Sequence, residues 1–421
     1  MPSIATRINE ILNKHDLAAI IGNGIHLYQE KHRNINYAKS WNNLLIEIWD
    51  TYNSKTINNN IFDGVSYTEF YDLIELICNR SYEERFGRLF DERTSRLRDL
   101  GLSQKDQQAI TSFILSLAQK NSKPKQCYSD LIKERPKIAD KLLNNKGIRT
   151  NRTEDSDLIL DILSKISNSS IKVVLTNGIK SNIASSMLKW NNEEVCGPDS
   201  TIAKIGHRLR EQKCPIMTTN FDTTFSTALD LKYCKVAPIT TDDGRVRSYE
   251  KSNRGFTDYY AWNGYFGDGD INQESPTDCF GVWHINGLIK YPRSIKLGLC
   301  DYMGAVGRAR SMIQGDNGLE LFRGKYQEHW AGENTWLHLI FNKNLLIFGL
   351  NLDENEVFLR WLLLQRAKYF SMHHDMHHDG WYLMTEKERQ KNPGKVFFLE
   401  HVGIEVVVAD SFDDIYTSIG Q

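Results

Sequence analysis

Short apolar runs alternate along the chain with longer segments in which apolar residues recur at helical spacing. The first run, Leu17 to Ile21, leads directly into Gly22-Asn23-Gly24, and the residues after Gly24 have the pattern of a helix. A short apolar run bounded by glycine is typical of a buried parallel strand. Further runs lie at residues 171–178, 214–222, 281–289, 344–350, 380–385 and 403–410. Strands that alternate with helices predict an α/β fold with a doubly wound parallel sheet.

One long stretch, residues 66–165, has helical periodicity without a convincing strand. We interpret it as an inserted helical module, and residues 1–65 together with 166–421 as one sheet-containing domain. Within the module, residues 121–153 carry more Lys and Arg than acidic residues, which indicates either a solvated helical face or a docking surface. Residues 240–280, rich in Gly, Asp and aromatic side chains, show no clear periodicity and predict an irregular segment.

The composition narrows the class of protein. The 421 residues are 40% hydrophobic and 25% charged, as in an ordinary globular protein, and the formal net charge is -1. A charge this small gives no general attraction for nucleic acid, so direct nucleic-acid binding is not expected. The seven cysteines contain no C-x-x-C pair, which favours reduced thiols in a cytoplasmic protein over disulfides. No apolar run is long enough to cross a bilayer, so no membrane association is expected.

Four of the predicted strands end in glycine or polar residues. These ends are Gly22-Asn23-Gly24, Thr218-Thr219-Asn220-Phe221-Asp222, His284-Ile285-Asn286-Gly287 and Gly349-Leu350-Asn351. In an open parallel sheet, ligands bind beyond the carboxyl ends of the strands. We therefore expect these four segments to line one cleft.

Each segment has a chemical and a structural interpretation. The N–H groups of Gly22 and Gly24 at a helix N-terminus suit a phosphate, although many strand-helix turns with two glycines bind nothing. Asn220 and Asp222 can hold sugar hydroxyls or orient a water, or Asp222 can cap the helix that begins near residue 223. His284 is a candidate general base, or a structural histidine at a strand end. Considered one at a time, the segments leave these alternatives open.

The four segments in this order resemble the sirtuin-like family of NAD-consuming proteins, in particular its divergent branch in bacterial antiphage defence. The matching residues are Gly22-Asn23-Gly24 for the G-A-G turn, Thr218, Asn220 and Asp222 for T-x-N-x-D, and His284 with Gly287 for the histidine before a glycine. The segments SWNNLL at residues 40–45 and IKLGLCDY at 295–302 also resemble that branch. The resemblance covers about residues 10–65 and 170–415.

The resemblance implies a Rossmann-like sheet with an NAD+ site across the four segments. The implied binding residues are Gly22, Asn23, Gly24 and Ile25 for the diphosphate and ribose, Thr218 and Thr219 beside them, and Gly349 and Asn351 for the adenosine side. Asn220 would hold the ribose or the attacking water, His284 would activate the ribose hydroxyl or the water, and Asp222 would orient this strand end. NAD+ would be the substrate and would yield nicotinamide and ADP-ribose. Positioned polar groups and one base suffice for such a cleavage, so no metal is expected.

Two departures from the family pattern bear on the activity. Asn23 and His26 stand where the family has small residues, which leaves a subunit that senses NAD+ or ADP-ribose without cleaving it as an alternative. The four-cysteine zinc module of the protein deacylases is missing, so hydrolysis is favoured over deacylation. The implied role is a toxic effector of abortive infection, held inactive until it forms a homo-oligomer or a complex with an ATPase or a nucleotide-sensing defence protein.

A histidine cluster near the end of the chain is a candidate metal site. His373 with His377, and His374 with His378, are four positions apart, the spacing that places two imidazoles on one helical face. No Cys or Glu completes a ligand set nearby. A polar connector between a helix and a strand is the other interpretation.

Overall fold

The computed structural model describes part of the chain in detail. The described residues are 3–38, 40–52, 56–77, 103–105, 108, 179–180, 183–184, 187, 190, 192–235, 262–268, 279–315, 321–323 and 330–421. The chain forms two compact units, Met1–Asp72 with Ser181–Gln421, and Leu73–Lys180. Most of the predicted helical module at 66–165, including its basic tract, and most of residues 240–280 lie outside the described residues. So does the predicted strand at 171–178, and these expectations stay predictions.

An eight-stranded sheet belongs to the first unit. Its strands are β1 Leu17–Ile21, β2 Ile216–Thr218, β3 Lys232–Lys235, β4 Gly264–Gly267, β5 Val282–His284, β6 Asn344–Phe348, β7 Gly380–Thr385 and β8 Glu405–Ala409. Their order across the sheet is β3-β4-β5-β2-β1-β6-β7-β8. The strands from β5 to β8 in this order pair in parallel, whereas β3 and β4 add antiparallel strands at one edge. The α/β class is confirmed, and the sheet is mixed rather than wholly parallel.

The parallel strands extend in two directions from β1. The chain moves outward from β1 through β2 to β5, returns to β6 beside β1, and moves outward again through β7 to β8. Numbered along the chain, these six strands have the order 3-2-1-4-5-6, which reverses between β1 and β6. In open α/β sheets, the crevice beyond the carboxyl ends at such a reversal is the usual place for a ligand.

Alternate strand residues pack into two hydrophobic clusters, one on each face of the sheet. In β1, Ala18 and Ile20 belong to one cluster, and Leu17, Ala19 and Ile21 belong to the other. All five are buried, which explains why β1 is continuously apolar. Helices packed in the first cluster are Leu299–Gln314, Trp336–Asn342, Val357–Met372 and Pro393–His401. Helices packed in the second are Ile4–Leu12, Gly24–Arg33, Glu193–Cys196, Thr201–Glu211, Thr224–Ala228 and Phe412–Gly420.

Side-chain caps fix where several of these helices begin. The capping residues are Ser3, Ser200, Thr335, Thr385 and Ser411, the last two before the helices Glu386–Lys391 and Phe412–Gly420. Each has an extended backbone, and its hydroxyl accepts a hydrogen bond from an N–H group of the first turn. The helix Trp41–Tyr52 also belongs to the first unit.

The antiparallel edge was not predicted. β4 is only four residues long, lies within the segment predicted to be irregular, and has glycine at both ends. Its two side chains point to opposite faces, since Tyr265 packs in one cluster and Phe266 in the other. A strand this short shows no periodicity in the sequence.

Two general features of the described part concern membranes and thiols. None of its helices combines the length and the apolar character that crossing a membrane requires. Its five cysteines are free thiols, of which Cys196 and Cys214 are buried and Cys300 is exposed.

Candidate functional site

The structure brings the four predicted segments side by side at one edge of the sheet. Ile21 at the end of β1 pairs in register with Thr218 of β2 and with Phe348 of β6, and Thr218 pairs with His284 of β5. The four strands therefore end at one level. At a strand spacing of about 4.8 Å, the row from Phe348 to His284 spans roughly 14 Å. A single extended ligand could contact all four segments.

Glycine is required where the segments after β1 and β6 touch. A Cβ at Gly22 would lie 2.6 Å from the carbonyl oxygen of Gly349, and one at Gly24 would lie 2.8 Å from the Cα of Gly349. Gly349 itself has a φ of +64°, in the left-handed region, and its own Cβ would lie 2.9 Å from the hydroxyl of Tyr416. The three glycines let the two segments pack main chain against main chain.

Two N–H groups of the first segment are used by this packing. Gly22 donates to the carbonyl of Phe348 at 3.3 Å, and Gly24 donates to the carbonyl of Gly349 at 2.7 Å. The N–H of Ile25, in the first turn of the helix, is not used in this packing, because it has no acceptor among the described residues. Among the residues of the predicted anion cradle, Ile25 is therefore the one whose N–H is best able to donate a hydrogen bond to a phosphate oxygen.

Asn23 immediately precedes this helix. Its carbonyl oxygen accepts from the N–H groups of His26 and Leu27 at 3.0 and 3.2 Å. Its side chain makes no capping hydrogen bond to the helix. The carbonyl of Asn23 thus helps to fix the conformation of the turn.

The threonines of the second segment hold it to β1. The hydroxyl of Thr218 donates to the carbonyl of Ile21 and accepts from the N–H of Asn220, both at 3.1 Å. The N–H of Thr219 donates to the same carbonyl of Ile21 at 3.1 Å. Both threonines are buried. They thus set the shape of the turn that presents Asn220.

His284 is bound directly to this turn. Its Nδ1 lies 3.0 Å from the main-chain oxygen of Asn220. Because a carbonyl oxygen only accepts, the proton is on Nδ1 and Nε2 carries the lone pair. Burial lowers the pKa of His284, and the Asn220 carbonyl and the charge of Asp222 partly oppose that effect. His284 is therefore neutral near pH 7, the state that a general base requires.

The side-chain amide of Asn220 is buried at the same place. The residue is 9% exposed, and its Nδ2 has no hydrogen-bond partner among the described residues. A buried donor without a partner costs about 1–3 kcal/mol. A ligand oxygen that accepts from this amide would recover that free energy.

Both carboxylate oxygens of Asp222 are engaged within the protein. Oδ1 accepts from the N–H of Thr224 at 3.0 Å and from the hydroxyl of the same residue. Oδ2 lies 3.2 Å from Nε2 of His26, which is fully buried. Burial alone would raise the pKa of Asp222, but His26 and Thr224 hold it well below its usual range. Asp222 is a buried anion at the start of the helix Thr224–Ala228, as the capping interpretation expects.

Asn351 lies at the exposed margin of the fourth segment. Its Oδ1 is 3.2 Å from Nζ of Lys395, and its Nδ2 donates to Asp353. Lys395 is 7% exposed, and its ammonium lies 5.6 Å from the ring centroid of Tyr382. Burial lowers the pKa of Lys395. A cation therefore stands next to the predicted adenosine side.

Lys395 and Tyr37 were not predicted from the sequence, and His26 was noted there only as a departure from the family pattern. The hydroxyl of Tyr37 lies 3.0 Å from Nδ1 of His26. Neither Tyr37 nor Lys395 belongs to a motif, and each is far in sequence from one of its neighbours in the site. The signal that exposes them is a buried polar contact, which only the structure contains.

The two further segments of the family resemblance lie in the described part of the chain. The ring of Trp41 contacts Phe221 edge to face, with the centroids 5.8 Å apart. Tyr302 is buried in the helix Leu299–Gln314. Trp41 thus packs against the T-x-N-x-D segment itself.

The histidine cluster lacks the arrangement that its spacing suggested. The helix ends at Met372, and a separate 3-10 turn spans His374–Met376, so the histidines do not share one helical face. His373 and His377 pack near aromatic rings of the preceding helix. Within the ranges that the structure describes, no group of three or more His, Cys, Asp or Glu residues is placed to hold a metal ion.

Comparisons with known proteins do not assign the chain to a family. No protein-family model matches the sequence, and no curated protein matches it. The function must be argued from the residues at the strand ends and their geometry.

Proposed function

We propose that the chain is an NAD+ glycohydrolase built on a Rossmann-like doubly wound sheet. It cleaves the bond between nicotinamide and ribose and releases nicotinamide and ADP-ribose. The observation that carries the proposal is the contact between Asn220 and His284. The main-chain carbonyl of Asn220 fixes the tautomer of His284, and the buried side-chain amide of Asn220 has no partner among the described residues.

The residues divide the reaction between them. Water adds to the ribose carbon as the bond to the nicotinamide nitrogen breaks, and the electron pair of that bond leaves with nicotinamide. Nε2 of His284 accepts the proton of the water or of a ribose hydroxyl, because its lone pair is on that nitrogen. The amide of Asn220 donates to the ribose or the water and orients it. The Ile25 N–H and the segment Gly349–Asn351 bind the diphosphate and the adenosine side.

Release of nicotinamide from NAD+ tests the proposal. We would incubate the full chain with NAD+, alone and together with the products of neighbouring genes, and follow nicotinamide by chromatography. Asn220→Ala and His284→Ala should each lower turnover by about 100-fold or more, the contribution typical of a positioned base or donor. Asn58→Ala and His374→Ala, at exposed positions, are the matched controls and should leave turnover unchanged. Turnover that survives both site substitutions would rule out the assigned residues.

A subunit that senses NAD+ or ADP-ribose without cleaving it is the second candidate. The observation that favours it is the use of the Gly22 and Gly24 N–H groups in packing against the segment after β6, which leaves fewer donors for a diphosphate. Calorimetry would then detect NAD+ binding while no nicotinamide appears under any condition. Release of nicotinamide only with an acylated peptide would instead support a protein deacylase, which the missing cysteine module disfavours.

The proposed biological role follows from the family resemblance. An NADase without control would deplete its own cell, so we propose a cytoplasmic effector of antiphage defence that acts by abortive infection. Its activity depends on a homo-oligomer or on a complex with an ATPase or a nucleotide-sensing protein. Co-purification with the products of neighbouring genes, followed by the nicotinamide assay with and without phage infection, tests this role.

A further inference from the structure

A line of buried and partly buried polar side chains runs beneath the strand ends. It begins at Gln29, continues through Tyr37 and His26, and reaches Asp222 at the end of β2. Gln29, His26 and Asp222 are at most 4% exposed. No part of the proposed reaction uses Gln29, Tyr37 or His26, so their arrangement needs another explanation.

The direction of the hydrogen bonds in this line is fixed at Gln29. Its Oε1 accepts from the N–H of Ile202 at 3.1 Å, and its Nε2 donates to the carbonyl of Val195 at 2.9 Å. These two main-chain groups determine which end of the amide carries the hydrogens. The second hydrogen of Nε2 therefore points to the hydroxyl oxygen of Tyr37, 3.3 Å away.

The donor-to-acceptor direction set at Gln29 continues through Tyr37 to His26. The hydroxyl of Tyr37 accepts from Gln29, and the described contact left for its own proton is Nδ1 of His26 at 3.0 Å. Donation to Nδ1 pairs the Tyr37 proton, whereas a hydroxyl that accepted from both neighbours would leave that proton without a described partner. With Tyr37 as the donor, Nδ1 is an acceptor and the imidazole proton is on Nε2. Nε2 lies 3.2 Å from Oδ2 of Asp222, off the line of a straight hydrogen bond. With this hydrogen-bond direction, His26 is a neutral donor beside a carboxylate.

The other groups around Asp222 do not cancel its charge. Thr224 donates to Oδ1 but carries no charge. Burial and the charge of Asp222 both raise the pKa of the Tyr37 hydroxyl and of the Cys196 thiol, so these two groups keep their protons. His284 contacts the same turn, since its Nδ1 lies 3.0 Å from the main-chain oxygen of Asn220, two residues before Asp222, and the charge of Asp222 raises the pKa of His284 against the lowering effect of burial. Apart from His26 itself, His284 is the described group near Asp222 that can become a cation during the reaction.

We propose that His26 is a positioning residue: it holds Asp222 as an unneutralised buried anion beneath the strand ends, and this anion stabilises the positive charge that His284 gains when it accepts a proton. The role in cleavage rests on the proposed function, whereas the charge states of His26 and Asp222 do not. His26 itself touches neither the substrate nor the reacting atoms.

The wild-type protein provides the first test. Nitrogen NMR of the full chain, labelled with 15N-histidine and free of NAD+, reports which ring nitrogen of each imidazole carries a proton. The peaks of His26 and His284 among the twelve histidines are assigned from their loss in His26→Gln and His284→Gln. At pH 7, His26 should give the neutral form with its proton on Nε2. A doubly protonated His26, or a proton on Nδ1 alone, would overturn the proposal.

Substitutions provide the second test, with the pKa of His284 as the measured quantity. Asp222→Asn removes the anion and should lower that pKa by on the order of one pH unit. His26→Leu should have the same effect because a carboxylate without its donor takes up a proton, whereas His26→Gln retains a donor and should restore most of the wild-type value. His207→Leu, at an exposed helical position, is the matched control. An unchanged pKa of His284 in folded Asp222→Asn would refute the proposed coupling.

The kinetic consequence separates this proposal from the proposed function. In the nicotinamide assay, His26→Leu should lower kcat with little change in KM, and His26→Gln should recover part of kcat. A wild-type protein that releases no nicotinamide refutes the hydrolase but leaves the NMR results valid. Wild-type turnover together with an imidazolium at His26 refutes the positioning role and leaves the hydrolase standing.

Discussion

Glu356 provides a direct test of the electrostatics near the strand ends. It stands immediately before the helix Val357–Met372, and it is mostly buried. Burial, and to a smaller extent the charge of Asp353, raise its pKa from 4.5 to about 7. The folded protein thus holds a proton on Glu356 over a pH range in which the unfolded chain has lost it.

The sign of the effect on stability follows from proton binding. Between about pH 4.5 and 7 the folded state binds more protons at this position than the unfolded state, so the free energy of unfolding falls as the pH rises. Well above pH 7 this decrease in the free energy of unfolding is complete, and the difference between the two pKa values corresponds to a decrease of about 3 kcal/mol. Because the side chain is partly exposed, we expect about 2 kcal/mol. Glu356→Gln removes the ionisation and should recover that amount at pH 8.

Urea unfolding followed by circular dichroism at pH 5 and pH 8 measures the effect. Glu356→Gln should unfold at higher urea than the wild type at pH 8, with almost no difference at pH 5. Glu354→Gln, at an exposed position two residues earlier, is the matched control and should change neither midpoint. An increase in the urea midpoint at pH 5 as large as that at pH 8, or no increase at pH 8, would refute the argument that ionisation of Glu356 destabilises the folded protein.

Three further predictions concern packing and binding. Gly349→Ala should destabilise the protein by about 1–2 kcal/mol and weaken NAD+ binding, because of the φ of +64° and the close approach of Tyr416, whereas Gly394→Ala, with open space around it, should do neither. Arg366→Met leaves four main-chain carbonyl groups without their guanidinium donor and should lower stability by on the order of 4 kcal/mol, with Arg366→Lys recovering less than half in the same urea assay. Lys395→Met should raise the dissociation constant of NAD+ in calorimetry while kcat is retained, and an unchanged constant would remove Lys395 from the site.

The strands were predictable to the extent that they are continuous apolar runs. β1, β6, β7 and β8 are five or six residues long and lie within the predicted runs. β2 and β5 are only three residues long, shorter than the runs at 214–222 and 281–289, because the chain leaves the sheet as soon as its polar residues begin. The short antiparallel strands β3 and β4 carry no pattern that could identify them.

The register of the strands could not be predicted from the sequence, and the geometry of the site depends on that register. The sequence shows four polar segments after four strands, but the level at which each strand ends is fixed by pairing between strands far apart in the chain. The packing role of the glycines could not be predicted from the sequence either. Gly22 and Gly24 suggested an anion cradle, and the structure adds that their lack of side chains lets the segment after β6 approach closely.

Asp222 shows why a motif predicts residue types better than it predicts their roles. The T-x-N-x-D pattern places an acid just beyond β2, but the direction in which its carboxylate is engaged depends on position 26, which comes close only because β1 and β2 are neighbours. A small residue there would leave Oδ2 buried without a donor, and the carboxylate would gain by turning toward solvent or a ligand. His26 instead holds the carboxylate inside. In the proposed site, the amide of Asn220 rather than the carboxylate of Asp222 is therefore the polar group of this segment that is available to a ligand.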